Sequence, residues 1–229
     1  MLILAIDTAL DACSVGVLDT VASKLIAHQS LPMARGHAEA LMPLIDQVMK
    51  QSRVGFMDLD RIAVTTGPGS FTGLRVGLSA ARGIALASNK PAVGVTTLTA
   101  YAAAAISETG RDPVISAIDA RHGQVYFQVV SGNGASLIRP KVAPIEKVLE
   151  AARYGTPIIV GNAAQLIADH WPADVAPVSV DPKPAPDIAW VGWLGAAVHA
   201  AAAPARPFYL RAPDAKPQTS TAFPRAAQP

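Results

Sequence analysis

Three residues of this chain could hold a phosphate together with a divalent cation. One apolar run ends on Asp7 and Thr8, and a second apolar run ends on Asp119, 112 positions later. Carboxylates and hydroxyls at strand ends suit a hydrated magnesium ion and a phosphate, because hard cations prefer oxygen ligands. An acidic residue at a strand end is also a common turn former. Both interpretations stay open at the level of the sequence.

Other catalytic arrangements find no support in the sequence. It has no GxSxG or HExxH motif, no P-loop lysine and no paired cysteines, and its five histidines are scattered. We therefore expect no metal site, and a peptidase is disfavoured because it needs a metal cluster or a nucleophile with its base. The single cysteine, Cys13, is expected to be a buried apolar residue.

Composition excludes further classes of function. Half of the residues are hydrophobic, yet no apolar run reaches about 18 residues, so we expect no membrane span. A net charge of +2 with 5% aromatic residues does not suit a stand-alone nucleic-acid binder. One cysteine and the lack of an N-terminal leader lead us to expect a cytoplasmic protein.

The stretch GPGSFTGLRVG indicates a tight loop that leads into a helix. Ser70 or Thr72 could cap the first turn, and Gly73 and Gly77 lie four residues apart, so another backbone could approach the helix closely. One interpretation is a helix packed on a sheet. The other is that the loop and the first turn form a docking or anion-binding edge.

The remaining pattern predicts elements that place these residues in two similar halves. In the first half we predict strands over 2–7, 14–18, 24–29, 61–66 and 92–95, and helices over 37–51, from about 70 onwards, and over 97–108. In the second half we predict strands over 114–119, 123–130 and 157–161, and helices over 144–152, 163–170 and 188–202. The predicted organisation is a lobe over 1–109, a smaller lobe over 110–186, a returning helix and PFYLR segment over 187–211, and a flexible Pro/Ala-rich tail over 212–229.

Five segments in order across residues 1–211 resemble one known family. They are ILAIDTALDACSVGVL, HAEALMPLI, TTGPGSFTGLRVGLSAARGIAL, AIDARHGQVY and FYLR. Together they resemble the TsaB family, also called YeaZ, of bacterial tRNA threonylcarbamoyladenosine biosynthesis. The resemblance implies an α/β protein of the actin-like, Hsp70-like ATPase fold. That fold has two RNase H-like lobes, each a mixed sheet flanked by helices.

The resemblance also implies a function without an active site. Such a subunit supports a TsaD-type catalytic subunit, which adds threonylcarbamoyl to N6 of adenosine 37 in tRNAs reading ANN codons, and the pair recruits a TsaE-type ATPase. It pairs with itself when alone, meets tRNA only within the complex, and has no cofactor of its own, although ATP or ADP could lie at the partner interface. The alternative is a stand-alone ATPase or small-molecule kinase of the same fold that uses Asp7, Thr8 and Asp119.

In that family the pairing surface is built from helices of the first lobe. Carried onto this chain, it predicts a partner interface on the helix that starts at His37, on the Gly-Pro-Gly loop and on the helix that follows. Its predicted members are His37, Leu41, Ile45, Gly67, Pro68, Gly69, Ser70, Phe71, Thr72, Gly73, Leu74, Arg75 and Gly77. We expect His37 to be a solvated helix-terminal residue, and Leu74→Glu to abolish pairing while leaving the chain folded.

Overall fold

The computed structural model describes residues 1–211, and the predicted tail over 212–229 lies outside the described residues. The described part contains two five-stranded sheets with the same topology. Helices cover both sheets, so the central strands are buried on both faces. This explains why those strands read as continuous apolar runs in the sequence.

The first sheet is formed by five strands near the predicted positions. They are β1 (Leu2–Asp7), β2 (Ala12–Asp19), β3 (Lys24–Pro32), β4 (Arg61–Gly67) and β5 (Ala92–Thr96). Their order across the sheet is β3-β2-β1-β4-β5. The first three strands are antiparallel neighbours, whereas β4 and β5 run parallel to β1.

The second sheet repeats this arrangement. Its strands are β6 (Val114–Asp119), β7 (Gln124–Val130), β8 (Ser136–Pro144), β9 (Ile158–Val160) and β10 (Ser179–Asp181), in the order β10-β9-β6-β7-β8. The antiparallel and parallel pairings are those of the first sheet. β6 thus takes the place of β1, and Asp119 the place of Asp7, so the predicted duplication is confirmed.

Within residues 1–211, six α-helices flank the sheets. They are α1 (His37–Ser52), α2 (Phe71–Ser88), α3 (Thr97–Thr109), α4 (Ile145–Leu149), α5 (Ala164–Ala168) and α6 (Ile188–Ala197). α1 and α2 share an apolar core with one face of the first sheet, and α6 packs on its other face. α3 lies between the lobes, in a cluster with the β1–β2 loop, α2 and strands of the second sheet, while α4 and α5 pack on the second sheet. The predicted architecture of two lobes with mixed sheets flanked by helices is confirmed.

The end of the described chain contacts the first lobe. Pro204 forms an isolated bridge with Val93 of β5. The Phe208 amide donates to the Thr66 carbonyl at 2.8 Å, directly before the Gly-Pro-Gly loop. The two sheets lie on either side of the predicted lobe boundary at 109 and 110, where α3 ends at Gly110 with φ of 64°.

The second half differs from the predicted elements in four places. The strands β8 and β10 were not predicted, and the helix predicted over 144–152 begins after β8 and turns into a 3-10 segment, Glu150–Tyr154. The last helix ends at Ala197 and not at 202. Its end is fixed by Arg61 of β4, whose Nη1 donates to the carbonyls of Gly195, Ala196 and Val198.

Within residues 1–211, no helix is both long enough and apolar enough to cross a bilayer.

Candidate functional site

Asp7 lies at the end of β1 and is enclosed by protein. Its predicted role required an exposed turn, which the structure does not show at this position. Its side chain is fully buried. Oδ1 accepts hydrogen bonds from Thr65 Oγ1 at 2.6 Å and from the Ala9 amide at 3.1 Å. The other carboxylate oxygen, Oδ2, is buried without a hydrogen-bond partner.

This burial changes the titration of Asp7. Because water is excluded, the charged carboxylate is penalised and the pKa of Asp7 rises to about 6. The hydrogen bonds from Thr65 and Ala9, and the nearby His37, offset only part of this effect. Burial also raises the pKa of the Cys13 thiol to about 11, with Asp7 as a second cause. Cys13 is buried as expected and is a poor nucleophile.

Thr8 is also covered, because the start of α2 presses on the loop after β1. The Thr8 hydroxyl donates to the Gly73 carbonyl at 2.7 Å, and the Ser70 amide donates to the Ala9 carbonyl at 2.7 Å. A Cβ at Gly73 would collide with the Thr8 carbonyl, and one at Gly77 with the Thr8 hydroxyl. The predicted close backbone approach is therefore real, and its partner is the β1–β2 loop. Protein atoms occupy the space where Asp7 and Thr8 would have to meet a phosphate.

Asp119 occupies the equivalent position in the second sheet but is exposed. It lines a cleft of about 280 Å³ between the lobes, together with Asp11, Ser70, Arg121 and Asn162. Asp119 Oδ1 accepts from the Arg121 amide at 2.7 Å, so the two residues form a turn and not the ion pair that would be the simplest account of them. Asn162 Oδ1 accepts from the Asp119 amide at 2.9 Å.

The predicted phosphate site is therefore wrong as a cluster. Asp119 faces the cleft, whereas Asp7 and Thr8 are sealed behind α2 and do not line it. Within residues 1–211, no three His, Cys, Asp or Glu side chains group as metal ligands.

A different surface on the first lobe is open and apolar. A groove of about 530 Å³ runs between α1 and α2, and a second, nearly purely apolar hollow of about 250 Å³ continues it toward the end of α2. We call this surface the α1–α2 face. Its accessible residues are Ala38, Met42, Phe56, Met57, Phe71, Thr72, Arg75, Val76, Ser79, Ala80, Ile84 and Ala87.

At the start of α2, the cap residue and two large side chains set the shape of this face. Ser70 caps the helix by accepting from the Gly73 amide at 3.2 Å, as predicted. The Arg75 guanidinium lies 3.8 Å from the centre of the Phe71 ring. The ring of Tyr209 also packs against Phe71, at a centroid distance of 5.7 Å.

Burial corrects the membership of the predicted interface. Ser70, Phe71, Thr72 and Arg75 are exposed and Gly69 is partly exposed. The other members are buried in their own lobe and cannot be the main contacts with a partner: His37, Leu41, Ile45, Gly67, Pro68, Gly73, Leu74 and Gly77. Leu74 is 1% exposed and packs in the cluster between the lobes, so on the structure we expect Leu74→Glu to destabilise the fold itself.

His37 is likewise not a solvated terminus. Its side chain is buried and Nε2 lies 3.0 Å from the Leu10 carbonyl, which ties α1 to the β1–β2 loop. The hydrogen bond explains the burial, because a polar ring needs a partner when water is excluded.

The predicted interface did not include Met42, Phe56 and Met57, although the sequence alone makes Met42 and Met57 core or interface residues. The signal was present in the spacing: Ala38 and Met42 lie four apart in α1, and Phe71, Arg75 and Ser79 lie four apart in α2. Each set forms a stripe beside the wider apolar stripe that faces the core. The core stripe was read as the interface because it is the more apolar of the two.

Known proteins share both the sequence and the fold of this chain. The family model described as TsaD: tRNA N6-adenosine threonylcarbamoyltransferase matches residues 24–205. The solved structure of YeaZ from Pseudomonas aeruginosa is 28% identical, with a TM-score of 0.76 over 91% of this chain and 99% of that one. An uncharacterized protein of Mycobacterium tuberculosis is 32% identical over 215 residues, which are 94% of each chain.

Relatives with a named function match the first part of the chain. The tRNA threonylcarbamoyladenosine biosynthesis protein TsaB of Escherichia coli is 40% identical over 127 residues, which are 56% of this chain and 54% of the relative. TsaB of Haemophilus influenzae is 38% identical over 128 residues. The chain thus spans about half the length of these curated relatives. By sequence and fold, this chain belongs to the TsaB (YeaZ) family, within the wider group that the TsaD model describes.

Proposed function

We propose that the chain is the non-catalytic scaffold subunit of the complex that adds threonylcarbamoyl to N6 of adenosine 37 in tRNAs reading ANN codons. It supports a TsaD-type catalytic subunit, and the pair recruits a TsaE-type ATPase. The chain contacts tRNA only within that complex, and the complex acts in the cytoplasm. The names of the curated relatives point to this pathway, and one surface of the chain supports the scaffold role.

That observation is the exposed α1–α2 face. Met42 is 52% exposed, Met57 is 65% exposed and Phe71 is 46% exposed, although each is large and apolar. A contiguous apolar surface of this kind, with methionine, an aromatic ring and an arginine, is typical of protein–protein interfaces. Two helices from each partner can pack there as four helices.

The same face accounts for two partners. A second copy presenting α1 and α2 gives a symmetric homodimer when the chain is alone. A TsaD-type subunit that presents a similar pair of helices replaces that copy, because both partners need the same surface. The homodimer is then a resting state, and the heterodimer is the form that works on tRNA.

ATP or ADP at the partner interface is a further part of this proposal. The first turns of α1 and α2 meet at one end of the face, around a hollow of about 470 Å³ whose polar lining includes Arg35, Glu39, Ser70 and Thr72, so the phosphate would have to lie on the side away from the Glu39 carboxylate. The cap residue of α1 is Gly36, which provides no side-chain bond to the first amides. Amides at two helix starts and an arginine favour a phosphate group, which a partner would enclose.

Reconstitution tests the function. We expect the purified chain to form no modified adenosine and to hydrolyse ATP no faster than a buffer blank. We expect a TsaD-type subunit, a TsaE-type ATPase and the threonylcarbamoyl donor to modify tRNA only when the chain is added. Modification at full rate without the chain would contradict the proposal.

The alternative function is a stand-alone ATPase or small-molecule kinase of the same fold. It now depends on the cleft between the lobes with Asp119, without Asp7 and Thr8. Steady ATP turnover by the chain alone that is lost in Asp119→Asn would support this alternative.

A further inference from the structure

Another hollow lies on the first lobe, between the later turns of α2 and the chain that follows α6. Its volume is about 450 Å³, and its lining residues are Arg82, Ala92, Ala200, Pro204, Ala205 and Arg206. We call it the Arg82–Arg206 hollow. Neither arginine lines the grooves of the α1–α2 face, so the hollow is a separate surface.

Arg82 is held in place without losing its charge. Its Nε donates to the Ala205 carbonyl at 2.8 Å, and its Nη2 donates to the same oxygen. Because a carbonyl is neutral, these bonds orient the guanidinium and leave its positive charge in place. Nη1 forms no hydrogen bond within residues 1–211 and can therefore donate to an oxygen of a ligand.

Arg206 supplies a second guanidinium at the same hollow. It is exposed, and within residues 1–211 its side chain forms no hydrogen bond and no ion pair. Arg82 has no carboxylate partner in that part of the chain either. Two guanidiniums without an acidic partner favour an anion, and the planar fork of arginine matches the oxygens of a phosphate.

The segments that form the hollow carry only positive charges. Residues 61–107 and 188–211 contain six lysine or arginine residues and no aspartate or glutamate. The acidic residues next to these segments in sequence, Asp60, Glu108 and Asp187, do not line the hollow. The positive potential at this surface is therefore stronger than the net charge of +2 suggests, because the acidic residues of the chain lie in other segments.

The position of the hollow favours a large polyanion over a small free anion. Both arginines are exposed, so a phosphate bound there can belong to a much larger ligand. Arg75 lies two helical turns before Arg82, about 10 Å away along α2 and on nearly the same side, and it lines the α1–α2 face. A row of arginines therefore leads from the proposed docking face to the hollow. An RNA held by a partner on that face can follow this row with its backbone.

We propose that the Arg82–Arg206 hollow binds backbone phosphates of the tRNA when the chain is part of its complex. The inference rests on the proposed function, because the partner provides most of the RNA-binding surface. Two phosphate contacts fit a chain whose composition does not suit a stand-alone nucleic-acid binder. They position the tRNA and read no base sequence.

The affinity of the assembled complex for tRNA tests this contact. Arg206→Gln removes one charge without breaking an internal contact, and Arg139→Gln, at an exposed position of β8 in the second lobe, is the matched control. We expect Arg206→Gln to weaken tRNA binding by about three- to tenfold, and Arg139→Gln to leave it unchanged. Arg206→Lys should retain most of the affinity, because an ammonium also binds phosphate as a point charge. Equal losses in Arg206→Gln and Arg139→Gln would overturn the inference.

The salt dependence of the same binding counts the phosphate contacts. Each contact contributes about 0.7–0.9 to the slope of log affinity against log salt concentration, so Arg82→Gln combined with Arg206→Gln should reduce the slope by about 1.4–1.8. An unchanged slope would contradict the proposal. Arg82 also holds Ala205, so circular dichroism checks that the double variant is folded. If it is not, Arg206→Gln alone decides, with an expected reduction of about 0.7–0.9.

Two further readouts separate a failure of this inference from a failure of the proposed function. Light scattering measures pairing with the TsaD-type subunit, which we expect Arg206→Gln to retain. If the wild type does not pair, the proposed function fails and the inference fails with it. If pairing is intact and tRNA affinity is unchanged in Arg206→Gln, only the inference fails.

The same variant distinguishes other occupants of the hollow. Weaker pairing of Arg206→Gln would assign the hollow to the partner protein and overturn the inference. Pyrophosphate that raises the melting temperature of the wild type but not of Arg206→Gln, with equal tRNA affinity for both, would show a site for a small free anion instead.

Discussion

At the scale of single residues, Asp7 combines complete burial with an unpartnered carboxylate oxygen. In the unfolded chain its pKa is about 3.9, whereas in the folded chain it is about 6. The folded state therefore binds more protons between pH 4 and pH 6. The contribution of Asp7 to the free energy of unfolding is therefore largest below about pH 4, falls as the pH rises toward 6, and no longer changes above that pH.

Replacing Asp7 by Asn removes this titration. A shift of about two pKa units corresponds to about 3 kcal/mol. The free energy of unfolding of Asp7→Asn minus that of the wild type should therefore be about 2–3 kcal/mol higher at pH 7 than at pH 4, which means that the variant is relatively more stable at pH 7. Urea unfolding at pH 4, 5, 6 and 7 measures this difference. Asp19→Asn is the control with the opposite sign, because backbone amides of Ala22 and Val21 lower the pKa of Asp19. If the difference in the free energy of unfolding between Asp7→Asn and the wild type does not change with pH, the raised pKa does not belong to Asp7.

Single residues also show how far sequence reasoning reached. The cap by Ser70 and the burial of Cys13 depend on local sequence, and both were predicted correctly. The burial of Asp7 and Thr8 depends on α2, which begins more than 60 positions later and closes over them. A local pattern cannot show such a contact, so the two residues were read as an exposed turn.

At the scale of elements, α2 joins two different surfaces. One side packs on the β1–β2 loop through Gly73 and Gly77, and the neighbouring side carries Phe71 and Arg75 of the α1–α2 face. The glycines cost helix stability, which their close packing offsets. The position of the proposed docking face therefore depends on how tightly α2 lies on the loop.

Two glycines of the same helix give a matched pair of substitutions. A Cβ at Gly73 would collide with the Thr8 carbonyl, whereas a Cβ at Gly83 would meet nothing within 4 Å. We expect Gly73→Ala to lower the free energy of unfolding by about 1–3 kcal/mol, and Gly83→Ala to raise it by about 0.5–1 kcal/mol through helix propensity. Chemical denaturation of both variants measures this. A stabilised Gly73→Ala would show that α2 does not lie on the loop.

The elements that sequence reasoning missed have physical features in common. β10 is three residues long and follows a proline-rich stretch, and β8 is a half-exposed edge strand containing Pro140 and Pro144. The alanines after Ala197 favoured a longer last helix. The structure ends it earlier, because Arg61 binds its final carbonyls from a strand more than 130 positions away.

At the scale of the whole molecule, the duplicated sheets have diverged in use. In the second lobe, the residue equivalent to Asp7 stays open to the cleft. In the first lobe, α2 covers that position, and the outer sides of α1 and α2 form an apolar face. The fold class and the family were predictable because the apolar runs and the GPGSFTGLRVG segment are continuous in sequence. The exposed residues of the α1–α2 face were not predictable, because the inner and outer stripes of α1 and α2 adjoin.

The central claim is that the α1–α2 face binds the partner, and light scattering with size-exclusion chromatography tests it most directly. The wild type, Met42→Glu and Val21→Glu are compared alone and mixed with a TsaD-type subunit. Val21 is 86% exposed in the turn between β2 and β3, outside the face, and is the matched control. A charge buried against an apolar partner costs about 3–5 kcal/mol, so we expect Met42→Glu to pair at least 100 times more weakly while Val21→Glu pairs like the wild type. If Met42→Glu and the wild type have equal masses both alone and when mixed with the TsaD-type subunit, the account is contradicted.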